Sequence, residues 1–311
     1  MLNVRTRGTQ VTGALTRGMG QVRGGLGAIP PTLHIFLAIV SIQVGAGVAK
    51  HLFERVGPVG TVSVRVGFAA LALLLWWRPR VRGYGRADVG AIVGFGLVLG
   101  AMNFAFYSAL ARLPLGIAVT LEFLGPLGVA LSLSRRVRDA LWVLLAGAGI
   151  LLLSPVGQDV AARLDPIGVA FALMSAVCWA AYIFLSRQVG RIAPGGAGLA
   201  LAMGVAAVIF VPIGVVMNGA ALLDPGLLVA GCAVALLSTA LPYTLEMEAL
   251  RRLPTRVFGV LMSVEPVIAA LIGFVVLREA IAPRALAAIC LITVAAIGAA
   301  QTGAATTEPQ A

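Results

Sequence analysis

The sequence is poor in charge, and poorest in acid. Charged residues make up 11% of the 311 residues, with 12 Asp and Glu against 23 Lys and Arg, and Lys50 is the single lysine. Soluble domains carry about 25% charged residues, so water could not solvate a surface of this composition. Hydrophobic residues make up 60% of the chain and the mean hydropathy is +1.01, which predicts a protein embedded in a membrane.

Side chains that perform covalent chemistry or bind metals are also scarce. His34 and His51 are the two histidines, the three cysteines lie within apolar runs, and no C-x-x-C, G-x-S-x-G or H-E-x-x-H motif occurs. Lys50 does not follow the glycine that a phosphate-binding loop requires. We therefore expect no enzyme activity, no cofactor, no metal site and no disulfide. The net charge of +11 is spread over short arginine clusters between apolar runs, which predicts no nucleic-acid partner.

Long apolar segments recur throughout the chain. A helix needs about 20 apolar residues to cross a bilayer, and irregular backbone cannot face lipid. Gly, Pro and charged residues separate ten such segments, which predict an all-α integral membrane protein with ten transmembrane helices. The predicted spans are 33–52, 59–77, 88–109, 115–133, 140–156, 167–186, 197–217, 226–248, 256–277 and 283–301. Residues 1–32 are predicted to be a disordered basic tail in the cytoplasm, and residues 302–311 a second disordered tail.

The distribution of arginine orients these spans. With the N-terminus in the cytoplasm, 16 of the 23 Lys and Arg residues fall in cytoplasmic segments and six fall in outer loops. Positive charge is concentrated on the cytoplasmic side of membrane proteins. The bias therefore predicts an even number of spans, with the N- and C-termini both cytoplasmic.

One hydrophobic motif occurs twice. The segment 110–131, LARLPLGIAVTLEFLGPLGVAL, returns 140 residues later as 250–271, LRRLPTRVFGVLMSVEPVIAAL. We infer two related units of five helices each, 33–156 and 167–301. Because five is odd, the second unit must be inverted across the membrane. Inverted repeats are typical of transporters, in which the substrate site lies between the units and the units exchange conformations.

Two stretches carry a resemblance to a known family. They are MNFAFYSALARLPLGIAVTLEFLGPLGVAL (102–131) and VALLSTALPYTLEMEALRRLPTRVFGVLMSVEPVIAAL (234–271). Over nearly all of 33–301 the chain resembles the drug/metabolite transporter superfamily, in its ten-helix branch with two EamA domains. The resemblance implies a multi-pass protein of the bacterial inner membrane that exports threonine, homoserine and related small amino acids, driven by the proton gradient. The alternatives are export of other metabolites or drugs, and flipping of a lipid-linked substrate.

Four ionisable residues fall deep inside predicted spans, away from their ends, and a charge at the bilayer centre costs at least about 2.5 kcal/mol. They are Arg65, Glu122, Glu246 and Glu265. A carboxyl group in a low-dielectric cavity can bind a proton near neutral pH, so we expect one glutamate to exchange a proton for the ammonium group of the substrate. Glu246 also fits a structural ion pair. Arg65 fits a clamp on a substrate carboxylate or, the favoured interpretation, a fixed ion pair with Glu122 or Glu246.

Prolines inside two spans mark the same place in the two repeats. Pro126 and Pro266 lack the backbone N–H that would bond the carbonyl groups of Glu122 and Met262. We therefore predict a kink and an unpaired carbonyl at the same depth in both units. Such carbonyls suit an ammonium group or a polar side chain of the substrate. In the alternative interpretation, neighbouring Ser or Thr side chains satisfy them.

Further polar and aromatic residues are candidates for the wall of a shared substrate chamber. They are Gln43, Asn103, Tyr107, Trp179, Tyr182 and Tyr243. Aromatic residues of membrane helices more often anchor the lipid interface, which is the alternative interpretation. The expected partners are a small amino acid, protons and membrane lipid, and the sequence leaves open whether a monomer or a homodimer is the active form.

Overall fold

The structure is a computed structural model, and it describes residues 30–80, 83–132, 139–153, 164–193, 196–250, 252–253 and 255–303. Residues 1–29 and 304–311 of the two predicted tails lie outside these ranges, as do residues 133 and 154–156 at the ends of two predicted spans. The described residues form helices and connecting turns and contain no strand, which confirms the all-α prediction.

The helices follow the apolar segments of the sequence. In chain order they are α1 (Pro31–Trp77), α2 (Arg86–Leu110), α3 (Leu115–Glu122), α4 (Leu124–Ser132), α5 (Asp139–Leu153), α6 (Pro166–Ile192), α7 (Ala197–Asn218), α8 (Pro225–Ala235), α9 (Leu241–Leu250), α10 (Thr255–Met262), α11 (Glu265–Val276) and α12 (Pro283–Gly303). A 3-10 turn (Gly219–Leu223) follows α7, and a π-helical segment (Leu236–Ala240) joins α8 to α9.

Several helices are long and apolar enough to cross a membrane. Within the described ranges there are five such segments, namely Pro31–Trp77, Arg86–Leu110, Pro166–Ile192, Ala197–Leu223 and Pro225–Tyr243. Shorter apolar helices cover Leu115–Val129, Val260–Val276 and Pro283–Gly298. The protein is therefore all-helical, with several membrane-capable helices.

Proline and aspartate define where helices begin. Four helices start with a proline, whose missing N–H is not needed at the first helical position: Pro31, Pro166, Pro225 and Pro283. The Asp165 carboxylate caps α6 by accepting from the N–H of Ile167 at 2.8 Å, and Asp224 caps α8 by accepting from the N–H of Leu227 at 2.8 Å. These residues are among the punctuation that separates the apolar segments in the sequence.

Helix α1 contains two predicted spans, 33–52 and 59–77, with a much shorter join than expected. Only Gly57 leaves the helical conformation, at φ 62° and ψ −179°. This positive φ is readily adopted by glycine, and the following Pro58 has no N–H to continue the helical bonding. The hydroxyl of Thr61 donates to the Gly57 carbonyl at 2.9 Å. The expected loop at 53–58 is therefore helical up to Gly57.

Three predicted spans are interrupted in the middle, and each interruption includes a carbonyl four residues before a proline. The carbonyl–proline pairs are Glu122–Pro126, Ser238–Pro242 and Met262–Pro266. Helices α3 and α10 end at the first residue of their pairs, and the π-helical segment contains Ser238. Proline cannot donate the bond that would continue an α-helix, which explains why the breaks fall at these positions.

Helices of the first half pack mainly on helices of the second half. Helix α1 packs on α7, α8 and α9, α2 packs on α6 and α7, and α5 packs on α12. The broken helices α3 and α11 meet closely, because a Cβ on Gly116 would lie 2.7 Å from the Cα of Ala270. The interrupted segments therefore lie in the interior, between the two halves of the chain.

An ion pair joins three distant parts of the chain at the α2–α3 corner. The Lys50 ammonium lies 2.5 Å from Glu279 Oε1 and donates to the Leu113 carbonyl at 3.2 Å. Glu279 Oε2 accepts from the backbone N–H of Leu115 at 2.8 Å, which satisfies a free donor in the first turn of α3. The pair thus fastens α1 and the α11–α12 connection to the corner at Pro114.

Replacing Lys50 and Glu279 separately and together tests this connection. We expect Lys50→Met and Glu279→Gln each to lower the thermal midpoint of the detergent-solubilised protein, because each leaves a largely buried partner unpaired. The double variant should lose less unfolding free energy than the two single variants lose together, with a coupling free energy of about 0.5–3 kcal/mol. The pair Arg55–Asp224, at 3.7 Å and 67% and 49% exposed, is the control and should show little coupling. Additive effects at Lys50 and Glu279 would contradict the connection.

The cap of α6 predicts a pH dependence of stability. The Arg112 guanidinium, which donates to Asp165 Oδ2 at 2.9 Å, together with the backbone N–H of Ile167, holds the pKa of the Asp165 carboxyl below its ordinary value. A pKa lowered by folding means that the ionised group stabilises the fold above the ordinary aspartate value of about 3.9, and that this contribution is lost as the pH falls through the lowered value.

Asp165→Asn keeps a capping side chain but removes the charge. We expect a slightly lower thermal midpoint than the wild type at about pH 7, and a difference that shrinks as the pH is lowered to about 3. Thermal unfolding of both proteins across this pH range measures it. A difference that stays constant over the range would show that the ionised carboxylate contributes nothing.

Candidate functional site

Arg65 of α1 is the centre of a polar cluster in the interior. Its Nη1 donates to Asn103 Oδ1 of α2, its Nη2 donates to the Ser238 carbonyl at 3.4 Å, and its guanidinium lies 5.2 Å from the centroid of the Tyr107 ring. Asn103 is held in turn, since its Nδ2 donates to the Leu99 carbonyl at 2.8 Å. The cluster therefore joins α1, α2 and the π-helical segment.

The sequence explains why these partners are available. Asn103 and Tyr107 are four residues apart on α2 and so share one face of the helix. The Ser238 carbonyl is free to accept from Arg65 because Pro242 has no N–H to bond it. Tyr107 is 1% exposed, which excludes the alternative that it anchors the lipid interface.

Gln43 and Glu265 form a second buried contact. Gln43 Nε2 of α1 donates to Glu265 Oε1 of α11 at 2.9 Å, and the two residues are 1% and 6% exposed. Among the residues that the structure describes, no donor reaches Glu265 Oε2 or Gln43 Oε1. Two buried acceptors are thus left to receive hydrogen bonds, and an unsatisfied buried acceptor costs about 1–3 kcal/mol.

Glu122 lies at the end of α3 against α6. The Ser175 hydroxyl donates to Glu122 Oε1 at 2.5 Å. One turn further along α6, the Trp179 ring makes an edge-to-face contact with Phe123, with the ring centroids 5.4 Å apart. The break between α3 and α4 therefore presents its carboxyl group to a polar and aromatic face of α6.

Tyr182, Tyr243 and Glu246 form the remaining part of the cluster. The phenol oxygens of Tyr182 on α6 and Tyr243 on α9 lie 3.5 Å apart. Tyr243 and Glu246 are three residues apart on one helix face, and both tyrosines lie close enough to Glu246 for an electrostatic interaction. Helices α6 and α9, from the same half of the chain, are thus joined by their phenol groups.

Several of these groups lie within electrostatic range of one another. Glu265 interacts electrostatically with both Glu246 and Glu122, and Glu122 and Tyr243 interact with Arg65. Six residues of the polar cluster keep part of their area accessible, namely Arg65, Glu122, Trp179, Tyr182, Tyr243 and Glu246. Gln43, Asn103, Tyr107 and Glu265 are buried. Ten of the eleven predicted substrate- or proton-binding residues therefore lie in or beside this polar cluster, and their role in binding stays a prediction.

The side chain of Met262 lies apart from this polar cluster. Its side chain packs on an apolar cluster that contains Ile35, Ile39, Ala249 and Ile268. Its backbone still marks the end of α10, at the position equivalent to Glu122. The prediction concerned its carbonyl group, and the side chain takes part in packing.

The ion pairs differ from those favoured by the sequence. Within the described ranges the pairs are Lys50–Glu279, Arg55–Asp224 and Arg112–Asp165, and Arg65 is in none of them. The fixed pair of Arg65 with Glu122 or Glu246 is therefore not formed in this structure. Arg65 instead contacts a neutral amide, a backbone carbonyl and an aromatic ring.

Two serines complete the site and were not predicted. Ser175 lies four residues before Trp179, on the same face of α6, so the helical period could have indicated it. The Ser238 carbonyl could have been found by applying to Pro242 the rule that was applied to Pro126 and Pro266. In the part of the chain that the structure describes, no three His, Cys, Asp or Glu side chains are grouped to hold a metal ion.

A glycine allows α1 to approach the π-helical segment. A Cβ on Gly45 would clash with the Ser238 hydroxyl and lie 3.1 Å from the Leu237 Cβ. One turn away, the Ser41 hydroxyl donates to the Leu237 carbonyl at 2.7 Å. The close contact positions Ser238, and with it one of the partners of Arg65.

A buried site with charges of both signs, enclosed by apolar helices that are broken at prolines, is typical of membrane transporters. A model of the EamA-like transporter family matches residues 166–300. The threonine/homoserine exporter RhtA of Salmonella typhimurium strain SL1344 is 45% identical over 268 residues, which cover 86% of this chain and 90% of the exporter. RhtA of Escherichia coli K12 is 44% identical over the same coverage.

The chain therefore belongs to the EamA-like transporter family, which confirms the resemblance noted in its sequence. A solved crystal structure with 21% sequence identity superposes with a TM-score of 0.55 and covers 86% of this chain and 94% of the other. At this identity the likeness shows a shared fold alone.

Two glycines of α1 offer a matched test of the helix contact. We expect Gly45→Ala to destabilise the protein by about 1–3 kcal/mol, because the added methyl group must push α1 away from Ser238. Gly47→Ala is the control, since its Cβ would lie 3.9 Å from Leu277, an ordinary contact, and alanine is the better helix former. Thermal unfolding in detergent compares the two, and equal effects would contradict the close approach at Gly45.

Proposed function

We propose that this protein is a secondary active exporter of small amino acids such as threonine and homoserine, and that inward movement of protons drives the export. The proposal is supported by the relatives named threonine/homoserine exporter, which match most of the chain. The observation that carries it is the composition of the polar cluster. Three carboxyl groups and one guanidinium group lie within electrostatic range of one another, and these are the charges that complement the ammonium and carboxylate groups of an amino acid.

The proposed topology is ten transmembrane helices in two inverted units, 33–156 and 167–301, with both termini in the cytoplasm at the bacterial inner membrane. The positions of the breaks support it, since α3 and α10 end at Glu122 and Met262, which are equivalent in the repeat. The packing also supports it. The third span of the first unit, α2, packs on α6 and α7, which are the first two spans of the second unit. Likewise the third span of the second unit, α8 and α9, packs on α1, which contains the first two spans of the first unit. This reciprocal packing is expected when two units are related by a two-fold axis.

Competition for a carboxylate would couple the two flows. One carboxylate binds either a proton or the ammonium group of the substrate, because occupancy by one removes the charge that attracts the other. Glu122 and Glu246 keep part of their surface accessible and Glu265 is buried beside Gln43. In the proposed cycle, one of these carboxylates takes up a proton from one side of the membrane and releases it when the amino acid arrives from the other.

Alternating access would follow from exchange of conformations between the two units. Pro126 and Pro266 leave the backbone without a helical bond at equivalent places, so the segments on either side can reorient at low cost. Helices α3 and α11, which border the two breaks, pack on each other through Gly116, which supports a coupled movement of the two units.

Transport by the purified full-length protein in proteoliposomes tests the proposal. We expect radiolabelled threonine and homoserine to move against their gradients when a pH gradient is applied, and to equilibrate only when it is absent. Aromatic drugs and a lipid-linked sugar, tested in parallel, should show no gradient-driven movement. Movement of either of these, with no response to threonine, would replace amino-acid export by another activity of the family.

Glutamine replacements at Glu122, Glu246 and Glu265 test the coupling. At the coupling residue we expect uphill threonine export to fall to the level of protein-free vesicles, while exchange of labelled for unlabelled threonine continues, because exchange moves no net proton. The exposed Glu54 is the control, and Glu54→Gln should keep both activities. If all three chamber variants retain uphill export, protons are not coupled through these carboxyl groups.

A further inference from the structure

Arg65 carries a charge that no ion pair neutralises among the residues that the structure describes. Within the described ranges it is absent from every ion pair, and its hydrogen-bond acceptors are the Asn103 amide and the Ser238 carbonyl. A guanidinium group is always ionised in proteins, so this cation is permanent. Neutral acceptors and the face of Tyr107 moderate its charge but cannot cancel it. An anion is the missing partner.

We propose that Arg65 binds the α-carboxylate of the transported amino acid, with Asn103 and Ser238 holding its guanidinium in place. The inference rests on the proposed export of amino acids and assigns the recognition of one end of the substrate. It replaces the fixed ion pair that the sequence alone favoured.

The remaining donors of Arg65 match a carboxylate. A guanidinium group has five N–H donors, and the contacts with Asn103 and Ser238 use one on each terminal nitrogen. The Nε–H is buried and has no partner among the described residues. In a conformation that admits the substrate to Arg65, the Nε–H and the second N–H of a terminal nitrogen can donate in parallel to the two oxygens of a carboxylate.

The surroundings orient the rest of the substrate. Glu122 lies within electrostatic range of Arg65, and Glu265 lies within range of Glu122 and Glu246. When the carboxylate is bound to Arg65, the ammonium group on the neighbouring carbon faces these carboxyl groups. The site would thus bind both charged groups of a free amino acid. Esters, amides and amines that lack the carboxylate would not be substrates.

Asn103 has a specific part in this arrangement. An amide at this position orients the guanidinium without supplying an anion, so Arg65 stays available to the substrate. An aspartate has the same shape and would provide a permanent counter-ion. Asn103 is therefore a positioning residue whose neutrality matters.

A matched set of ligands tests the proposal with the full-length protein in detergent. Threonine carries both groups, threoninol has the ammonium group without the carboxylate, and 3-hydroxybutyrate has the carboxylate without the ammonium group. We expect the wild type to bind threonine about 10–100-fold more tightly than threoninol. Arg65→Gln should lower the affinity for threonine and for 3-hydroxybutyrate by a similar factor and leave the affinity for threoninol unchanged. An equal loss of affinity for all three ligands, or no loss of affinity for any of them, would overturn the proposal.

Asn103→Asp is the second variant and does not depend on how Arg65→Gln folds. If Arg65 binds substrate, an internal carboxylate should compete for it: threonine affinity should fall about tenfold or more, while the thermal midpoint stays at or above that of the wild type. If Arg65 is only structural, the new ion pair should leave threonine binding intact, which would contradict the assignment.

The same measurements separate this inference from the function on which it rests. If wild-type protein binds 3-hydroxybutyrate as tightly as threonine, and Arg65→Gln weakens both, the carboxylate site stands and the amino-acid substrate does not. If threonine drives gradient-dependent transport but Arg65→Gln binds it as the wild type does, amino-acid export stands and Arg65 is not its anchor.

Discussion

A backbone carbonyl that is buried among apolar helices must find a donor, and proline removes the donor that an α-helix would supply. In this chain, three prolines remove it in the interior, at the carbonyls of Glu122, Ser238 and Met262. Helices α3 and α10 end at two of these positions, and the third lies within a π-helical segment. The breaks place a carboxyl group and an accepting carbonyl inside the protein, and the site is built around them.

The charges of the site follow from the same arrangement. Arg65 donates hydrogen bonds to the Ser238 carbonyl, which Pro242 leaves free, and to the amide oxygen of Asn103 on α2. The carboxyl groups are held by Ser175 and Gln43, both of which are neutral. Charges of both signs are thus kept apart by neutral partners. If Arg65 and the carboxyl groups were paired with one another, few charged groups would remain to bind a zwitterion. In this site the guanidinium group and several carboxyl oxygens remain available.

Much of the fold could be predicted from the sequence because the bilayer allows few solutions. The length of the apolar segments predicted where the helices lie. The missing N–H of proline predicted the breaks at Glu122 and Met262. The ionisable residues of the site could be predicted for the same reason, since a charge inside a span is costly and needs a role. The absence of a loop near Gly57 could not be predicted, because the sequence there contains the Gly-Pro pair that usually marks a turn.

Pairing between distant side chains was the part that the sequence did not reveal. The link from Lys50 to Glu279 spans 229 residues, and the bond from Ser175 to Glu122 depends on how α6 packs against α3. Arg65 was expected beside a glutamate because opposite charges attract. In the structure the donors that reach Glu122 and Glu265 come from neutral side chains, and the acceptors near Arg65 are also neutral.

The central claim is that a free amino acid binds in the interior between Arg65 and the carboxyl groups. An experimental structure of the full-length protein in lipid nanodiscs with threonine tests it most directly. We expect ligand density in the chamber, with the carboxylate on Arg65 and the ammonium group toward Glu122, Glu246 or Glu265. Arg65 closed in an ion pair with a glutamate, and threonine bound elsewhere or not at all, would contradict the account.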